Sequence, residues 1–234
     1  ARAETIYVAP GNGGKAPGSE NVALDVDNQE SIVDFARKNH VGLVVIGPEA
    51  PLVAGLADAV RAAGIACFGP GASGARLEGS KKFSKELMSR HDIPTAAYGS
   101  FTDKASALAY LDQVGAPIVV KADGLAAGKG VTVAEDIEEA RQAVEECFEG
   151  RFGSAGATVV IEELLTGPEC SLLVFTDGIT TLPMAPAQDH KRAYEGDTGP
   201  NTGGMGVYSP VPIVTAEEHA IMIGLMEQVV AALT

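Results

Sequence analysis

The chain of 234 residues holds 31 acidic against 17 basic side chains, a formal net charge of −14, and 46% of it is hydrophobic. Affinity for nucleic acid is built from surface cations, so this balance excludes a phosphate-backbone binder and leaves any anionic ligand to be met by local lysines. The apolar fraction fills one large or two small domains of a soluble protein. Cys67, Cys147 and Cys170 lie too far apart for a disulfide framework or a zinc site. With no bilayer-spanning run and no signal-peptide pattern, a monomer in a reducing cytoplasm, away from membranes, is the expectation.

Taken in chain order, Thr5 to Ala9 reads as a strand, Gln29 to Asn39 as an amphipathic helix and Leu43 to Ile46 as a strand. Leu52 to Ala63 reads as a helix and Ile65 to Phe68 as a strand, an alternation that predicts a parallel α/β sheet. Each strand runs into a loop rich in glycine and proline: Pro10 to Gly14, Gly47 to Pro51, and Gly69 to Gly71. One such loop is plain turn chemistry, but three at the carboxyl ends of strands in an open sheet point to a binding site.

From Ser80 the character changes, and a domain junction is expected there. A helix bearing Lys81, Lys82 and Lys85 beside Phe83, Leu87 and Met88 ends at Ile93-Pro94. A strand near Ala96 to Ser100 precedes a helix from Thr102, its N-cap, to Val114, with Gly115 as its stop. Residues 117 to 133 are the most informative: an apolar strand ending in Lys121 enters a loop with Gly124, Gly128, Lys129 and Gly130, then a second strand. The glycines let backbone approach a polyphosphate, and the lysines supply point charges for it. It is not a Walker loop, since Asp123 stands where the first glycine belongs and Gly130 where the hydroxyl belongs. Taken alone, the loop is equally a hairpin with two solvated lysines.

A helix from Glu135 to Phe148 places Ala140, Ala143, Val144 and Cys147 on one face, and Thr158 to Ile161 is a buried-type strand. A hairpin follows, Cys170 to Thr176 and Ile179 to Met184 about Asp177-Gly178. Residues 185 to 214 show no periodic element, and so long a stretch in a compact domain is either functional or disordered. Its density of polar and fixed-geometry residues, Gln188 to Arg192 and Gly199 to Gly206, favours function. His190 reads as a hydrogen-bonding group rather than a general base. The last helix begins near Thr215, with Glu218 completing a capping box.

The order of a helix lysine, a strand lysine with a glycine hairpin, Glu-Glu-Leu-Leu after an apolar strand, a further glutamate, and Asp-His-Lys-Arg followed by Pro-Asn-Thr-Gly-Gly-Met-Gly resembles the ATP-grasp superfamily. More closely it resembles the phosphoribosylamine–glycine ligase family over the whole chain. The most specific segments are residues 43–55, 118–131, 188–192 and 199–206. The fold class this implies is α/β: a Rossmann-like parallel α/β domain over 1–78, then an ATP-grasp α+β domain over 79–234 with a lid subdomain at about 96–163.

The resemblance further implies ATP between two antiparallel sheets, with the glycine hairpin, Gly128, Lys129 and Gly130, over its phosphates. Lys85 and Lys121 would contact phosphates. Glu162, Glu163, Leu164 and Leu165 would form the hinge whose backbone reads adenine, and Glu169 would accept from the ribose hydroxyls. Arg192 and Asn201, near the phosphates, are the catalytic candidates; Glu49, Asp189 and Lys191 would hold phosphoribosylamine.

The implied chemistry joins glycine to phosphoribosylamine through glycyl phosphate, with ATP and Mg2+. It needs no enzyme nucleophile, and no nucleophile elbow or Ser-His-Asp set is seen. Family members begin with one more strand and a glycine-rich loop, and continue into an acidic strand that binds magnesium, so no metal ligand is expected in this chain. Another ATP-grasp carboxylate–amine ligase, or a nucleotide-binding fragment without turnover, are the alternatives.

Overall fold

The computed structural model describes residues 3–14, 17–125, 130–196, 198–202 and 204–234. The chain divides into two compact units, Ala1–Gly79 and Ser80–Thr234.

In the first unit, β1 (Ile6–Val8) pairs in parallel with β2 (Ser19–Asn21). Helix α1 (Gln29–Lys38) follows; Asn28 caps it by accepting from the Ser31 amide at 3.0 Å, and Arg37 and Lys38 sit in its last turn, where cations suit the helix dipole. Then come β3 (Leu43–Val45), α2 (Glu49–Val53), α3 (Leu56–Ala62), β4 (Ala66–Phe68) and α4 (Ala72–Gly79). Strands β3 and β4 pair in parallel. The core is Ile46, Leu52, Leu56, Ala57, Val60 and Ala75.

Three expectations change here. The helix at 52–63 is two helices, because Gly55 at φ +91° takes the left-handed conformation that glycine adopts without steric cost. Glu49 to Pro51 are the first turn of α2 rather than loop. The parallel strands form two separate two-stranded ribbons among the described residues, not one sheet. Strand β2, Ser-Glu-Asn, has no apolar alternation to betray it, and α4, eight residues rich in small side chains, is equally silent in sequence.

In the second unit α5 (Lys81–Arg90) leads to β5 (Tyr98–Phe101), α6 (Lys104–Val114), β6 (Ile118–Ala122), β7 (Val131–Ala134), α7 (Ile137–Phe148), a short 3₁₀ turn (Gly153–Ala157) and β8 (Val159–Glu163). The strands make one antiparallel sheet in the order β5-β8-β6-β7. The cap of α6 is Asp103, which accepts from the Ser106 amide at 2.8 Å, one residue beyond the expected Thr102. A carboxylate one residue nearer the first turn satisfies its amides and its dipole together.

Side chains alternate along a strand, so Ile118, Val120 and Ala122 of β6, with Val159 and Ile161 of β8, share one face and form the core with Ala107 and Leu111 of α6 and Ala140, Ala143, Val144 and Cys147 of α7. Fully burying a side chain such as Val120 or Ile161 contributes about 1.5–3 kcal/mol. Ala107 and Ala140 are wholly buried at this contact, so enlarging either would force overpacking. Val119, Lys121, Val160 and Glu162 occupy the opposite face.

Strands β9 (Val174–Thr176) and β10 (Thr181–Pro183) form the expected hairpin, shorter than its apolar run. Its turn is closed by the Asp177 carboxylate, which accepts from the amides of Ile179 and Thr180 and is held below the usual carboxylate range by them. The stretch read as aperiodic carries four strands, β11 (Gln188–Asp189), β12 (Arg192–Tyr194), β13 (Thr198–Asn201) and β14 (Val207–Tyr208). They pair as β11 with β14 and β12 with β13, both antiparallel. These strands are two to four residues of mostly polar side chains, so their regularity lies in backbone hydrogen bonds and not in a hydrophobic period. Helix α8 (Ala216–Leu233) begins with the predicted Thr215–Glu218 capping box. No helix among the described residues is long and apolar enough to cross a membrane.

Candidate functional site

The face of the four-stranded sheet opposite its core carries a charge cluster. Register sets it up: Val119 lies opposite Glu162 and Lys121 opposite Val160, so Lys121 and Glu162 are diagonal neighbours on one face, within reach for long side chains. The Lys121 ammonium meets Glu162 Oε1, and Lys85 Nζ from α5 stands 2.5 Å from Oε2. Glu162 is 4% exposed and Lys85 9%. A carboxylate removed from water to this degree must be paired, and here two ammonium groups share it.

The two lysines are not equivalent. Lys85 also donates to Thr95 Oγ1 at 2.8 Å and to the Ala96 carbonyl at 3.4 Å, and lies 5.7 Å from the Tyr98 ring centre. Of the three protons an ammonium can give, Lys85 thus donates two to protein atoms, and its charge is paired with Glu162. Lys121, with 28% of its side chain exposed, presents its free side to solvent. Burial, then the positive charges of Lys85 and Lys81, push the Lys121 ammonium down to about 8, with Glu169 opposing. Burial also lowers Lys85, with Glu163 opposing. Lys121 is therefore the better placed for a new anion.

Asp123, the residue that spoiled the Walker pattern, fixes α5 against the strand that bears Lys121. Its carboxylate accepts from the Lys82 amide at 2.7 Å and from Ser80 Oγ at 3.1 Å, while Ser80 itself accepts from the Phe83 amide. Lys81 Nζ reaches the Gly124 carbonyl at 3.2 Å. An acid at a helix N-terminus satisfies amides that have no partner within the helix. Sequence reasoning missed these roles of Asp123, Ser80 and Lys81. A serine three residues before Phe83 at a helix start was the available signal for the cap.

The remaining expected site residues fall as follows. Glu162 and Glu163 are still within β8; Glu162 has strand neighbours on both sides, Tyr98 and Val119, and the Glu163 amide donates to the Ala97 carbonyl at 2.9 Å. Leu164 and Leu165 lie beyond the strand, and no hydrogen bond among the described residues engages their backbone. Leu165 is 65% exposed. Glu169 Oε1 lies 2.7 Å from Lys191 Nζ, which joins the expected ribose acceptor to a residue expected to serve another substrate.

Arg192 donates to the Gly199 carbonyl at 2.8 Å and pairs in register with Asn201 across β12 and β13. The Asn201 side chain lies outside the described structure, as do Gly128 and Lys129. Gly130 is described: its carbonyl accepts from the Ala122 amide at 2.8 Å and closes the base of the hairpin. Asp189 on β11 lies against Gly204, whose φ of +125° disfavours any other residue and whose Cβ would displace the Asp189 carboxylate. His190 stacks on Tyr208, with ring centres 5.5 Å apart. Glu49 is exposed in the first turn of α2, just past β3.

The cluster fits a polyphosphate by its cations. It does not fit magnesium: no three His, Cys, Asp or Glu side chains among the described residues converge on a metal position, and Glu162 is committed to two lysines.

Both units of the chain match known proteins. Residues 79–234 match the family model of the phosphoribosylglycinamide synthetase ATP-grasp (A) domain, and residues 1–78 that of the same enzyme's N domain. The phosphoribosylamine–glycine ligase of Allochromatium vinosum is 59% identical over 234 residues, covering 98% of this chain and 55% of that protein. That of Pasteurella multocida is 56% identical over 231 residues, covering 97% and 53%. The chain spans about half the length of the curated relatives it matches.

Among solved structures, the phosphoribosylamine–glycine ligase of Thermotoga maritima superposes with a TM-score of 0.83 at 28% identity, over 97% of this chain and 55% of that one. A biotin carboxylase domain from Hydrogenobacter thermophilus, solved with MgADP, ADP and bicarbonate, shares the fold with a TM-score of 0.73 at 20% identity, over 92% and 48%. This chain belongs to the phosphoribosylamine–glycine ligase family of ATP-grasp proteins.

Proposed function

We propose that this protein takes part in the ATP-dependent ligation of glycine to 5-phosphoribosylamine, giving glycinamide ribonucleotide, ADP and phosphate. One observation carries the reading: Lys85 and Lys121 converge on a single buried carboxylate beside the base of a glycine hairpin, in a chain 55–59% identical to ligases of this name. In the reaction, glycine's carboxylate takes the γ-phosphoryl group of ATP, and the amine of phosphoribosylamine then displaces phosphate from the glycyl phosphate. Such chemistry requires positioning and charge neutralisation more than covalent help.

Each residue has a task in this scheme. Lys121, seconded by Lys85, neutralises phosphate oxygens. The backbone from Leu164 reads the adenine edge, where strand pairing has ended, and Glu169 accepts from ribose hydroxyls. Arg192 and Asn201 act near the transferred phosphoryl group, with Gly128, Lys129 and Gly130 over the polyphosphate. Glu49, Asp189 and Lys191 are assigned to phosphoribosylamine. No step is assigned to magnesium, since no three His, Cys, Asp or Glu side chains among the described residues converge on a metal position. The paired cations Lys85 and Lys121 by themselves also support a second reading, nucleotide binding without turnover.

The test is product formation with glycine, phosphoribosylamine, ATP and magnesium. Release of ADP that requires both glycine and the amine, with glycinamide ribonucleotide formed, is the expected result. ADP release indifferent to glycine would sink the ligase assignment, and ATP binding without any release would establish the second reading.

A further inference from the structure

Adenine is assigned to the backbone from Leu164 onward, beyond β8, which leaves the Glu162 side chain without a task. It is nonetheless the one buried carboxylate among the described residues. Its Oε1 meets Lys121, while its Oε2 lies 2.5 Å from Lys85 Nζ without hydrogen-bonding geometry. An acid so placed repels phosphate directly, so any use it has must pass through the lysines. We propose that Glu162 is a positioning residue for polyphosphate: its carboxylate holds the ammonium groups of Lys121 and Lys85 side by side on one face of the sheet and keeps both charged until an anion arrives. This rests on the nucleotide reading of the site.

The charge arithmetic supports it. Glu162 meets Lys85 of α5 and Lys121 of β6; Lys81 of α5 and Glu169 act on Lys121, while Glu163 of β8 and the Tyr98 ring of β5 act on Lys85. With the Glu162 carboxylate in place, Lys85 and Lys121 leave one net positive charge. Without it they leave two in a half-dry site, and the lysine with fewer partners, Lys121, gives up its proton first. Burial and the charges of Lys85 and Lys81 already bring that lysine down to about 8, with Glu169 opposing. A lysine that loses its proton near neutral pH no longer attracts phosphate, so Glu162 sets the pH at which the site stops distinguishing ATP from adenosine.

Calorimetric titration of ATP and of adenosine into the native chain and into Glu162→Gln, from about pH 6 to about pH 10, tests this. In the native chain the preference for ATP over adenosine should fall as pH rises through about 8. In Glu162→Gln the same fall should come at a pH lower by about one unit or more, with adenosine binding unchanged. Coincident transitions in the two proteins would overturn the proposal. No preference for ATP at any pH in the native chain would remove the nucleotide reading, and this proposal with it.

If Glu162→Gln does not fold, Glu162→Asp keeps the charge but withdraws it by one methylene. It should bind ATP roughly tenfold more weakly, with its transition still near the native pH. Native ATP affinity in Glu162→Asp would again overturn the proposal.

Discussion

Lys191 Nζ lies 2.7 Å from Glu169 Oε1, although the two residues are 22 positions apart. The pair joins the segment between β11 and β12 to the segment after β8, and it occupies the carboxylate assigned to ribose. Adenosine must therefore compete with an ammonium for Glu169. An exposed pair of this kind contributes about 0.2–1 kcal/mol. Lys191→Met should tighten adenosine binding by about twofold to fivefold at low salt, and the gain should vanish at high salt, where the native pair is already screened. Weaker adenosine binding in Lys191→Met would place that lysine on the nucleotide instead.

Glu169 and Lys121 should separate the two ends of ATP. Glu169→Ala should weaken every adenosine-containing ligand, with or without phosphates. Lys121→Met should spare adenosine and weaken ATP by about 1.5–3 kcal/mol, the scale of a charge-assisted hydrogen bond. Titration of adenosine, ADP and ATP into both variants decides it, and equal loss of adenosine binding in both would remove the assignment.

The Lys121 ammonium also predicts how stability depends on pH. Its value in the folded chain is about 8 against an ordinary 10.5, so between these two pH values the unfolded chain binds more protons than the folded one. Stability contributed by this group therefore rises as pH increases through that window and is smallest below it. One pKa unit corresponds to about 1.4 kcal/mol, so the native chain should gain on the order of 1–3 kcal/mol relative to Lys121→Met between pH 8 and 10.5. Parallel urea-unfolding curves for the two proteins across that range would contradict the depressed value.

Asp123 ties the start of α5 to the end of β6 through the Lys82 amide and Ser80 Oγ. Asp123→Ala removes a helix-terminal acceptor and should cost about 1–2 kcal/mol in unfolding free energy. Because α5 carries Lys85, ATP affinity should fall as well, whereas Asp123→Asn, which keeps one acceptor oxygen, should recover part of both losses. Full ATP affinity in Asp123→Ala would show that Lys85 is held by Thr95 and Glu162 alone.

Much of the second unit was legible in the sequence because its signals are local. The apolar run Ile118–Val120, the face formed by Ala140, Ala143, Val144 and Cys147, and the Thr215–Glu218 box each depend on neighbours within one strand or one helix. The glycine hairpin and its strand lysine were legible for the same reason. The ribbon from Gln188 to Tyr208 was not: its order comes from cross-strand pairing such as Gln188 with Tyr208 and Arg192 with Asn201, and polar strands leave no period to read.

Sequence alone thus supplied the candidates for a nucleotide, through the family resemblance: two lysines, a hinge after an apolar strand, and a following glutamate. Tertiary structure alone decided how their charges combine. Lys85 and Glu162 come from different elements, and only the antiparallel register of β6 and β8, with α5 laid across their free face, brings two ammonium groups onto one dry carboxylate. The physical reason is that ion pairing depends on distance and on exclusion of water, and neither is written in the order of residues along a chain.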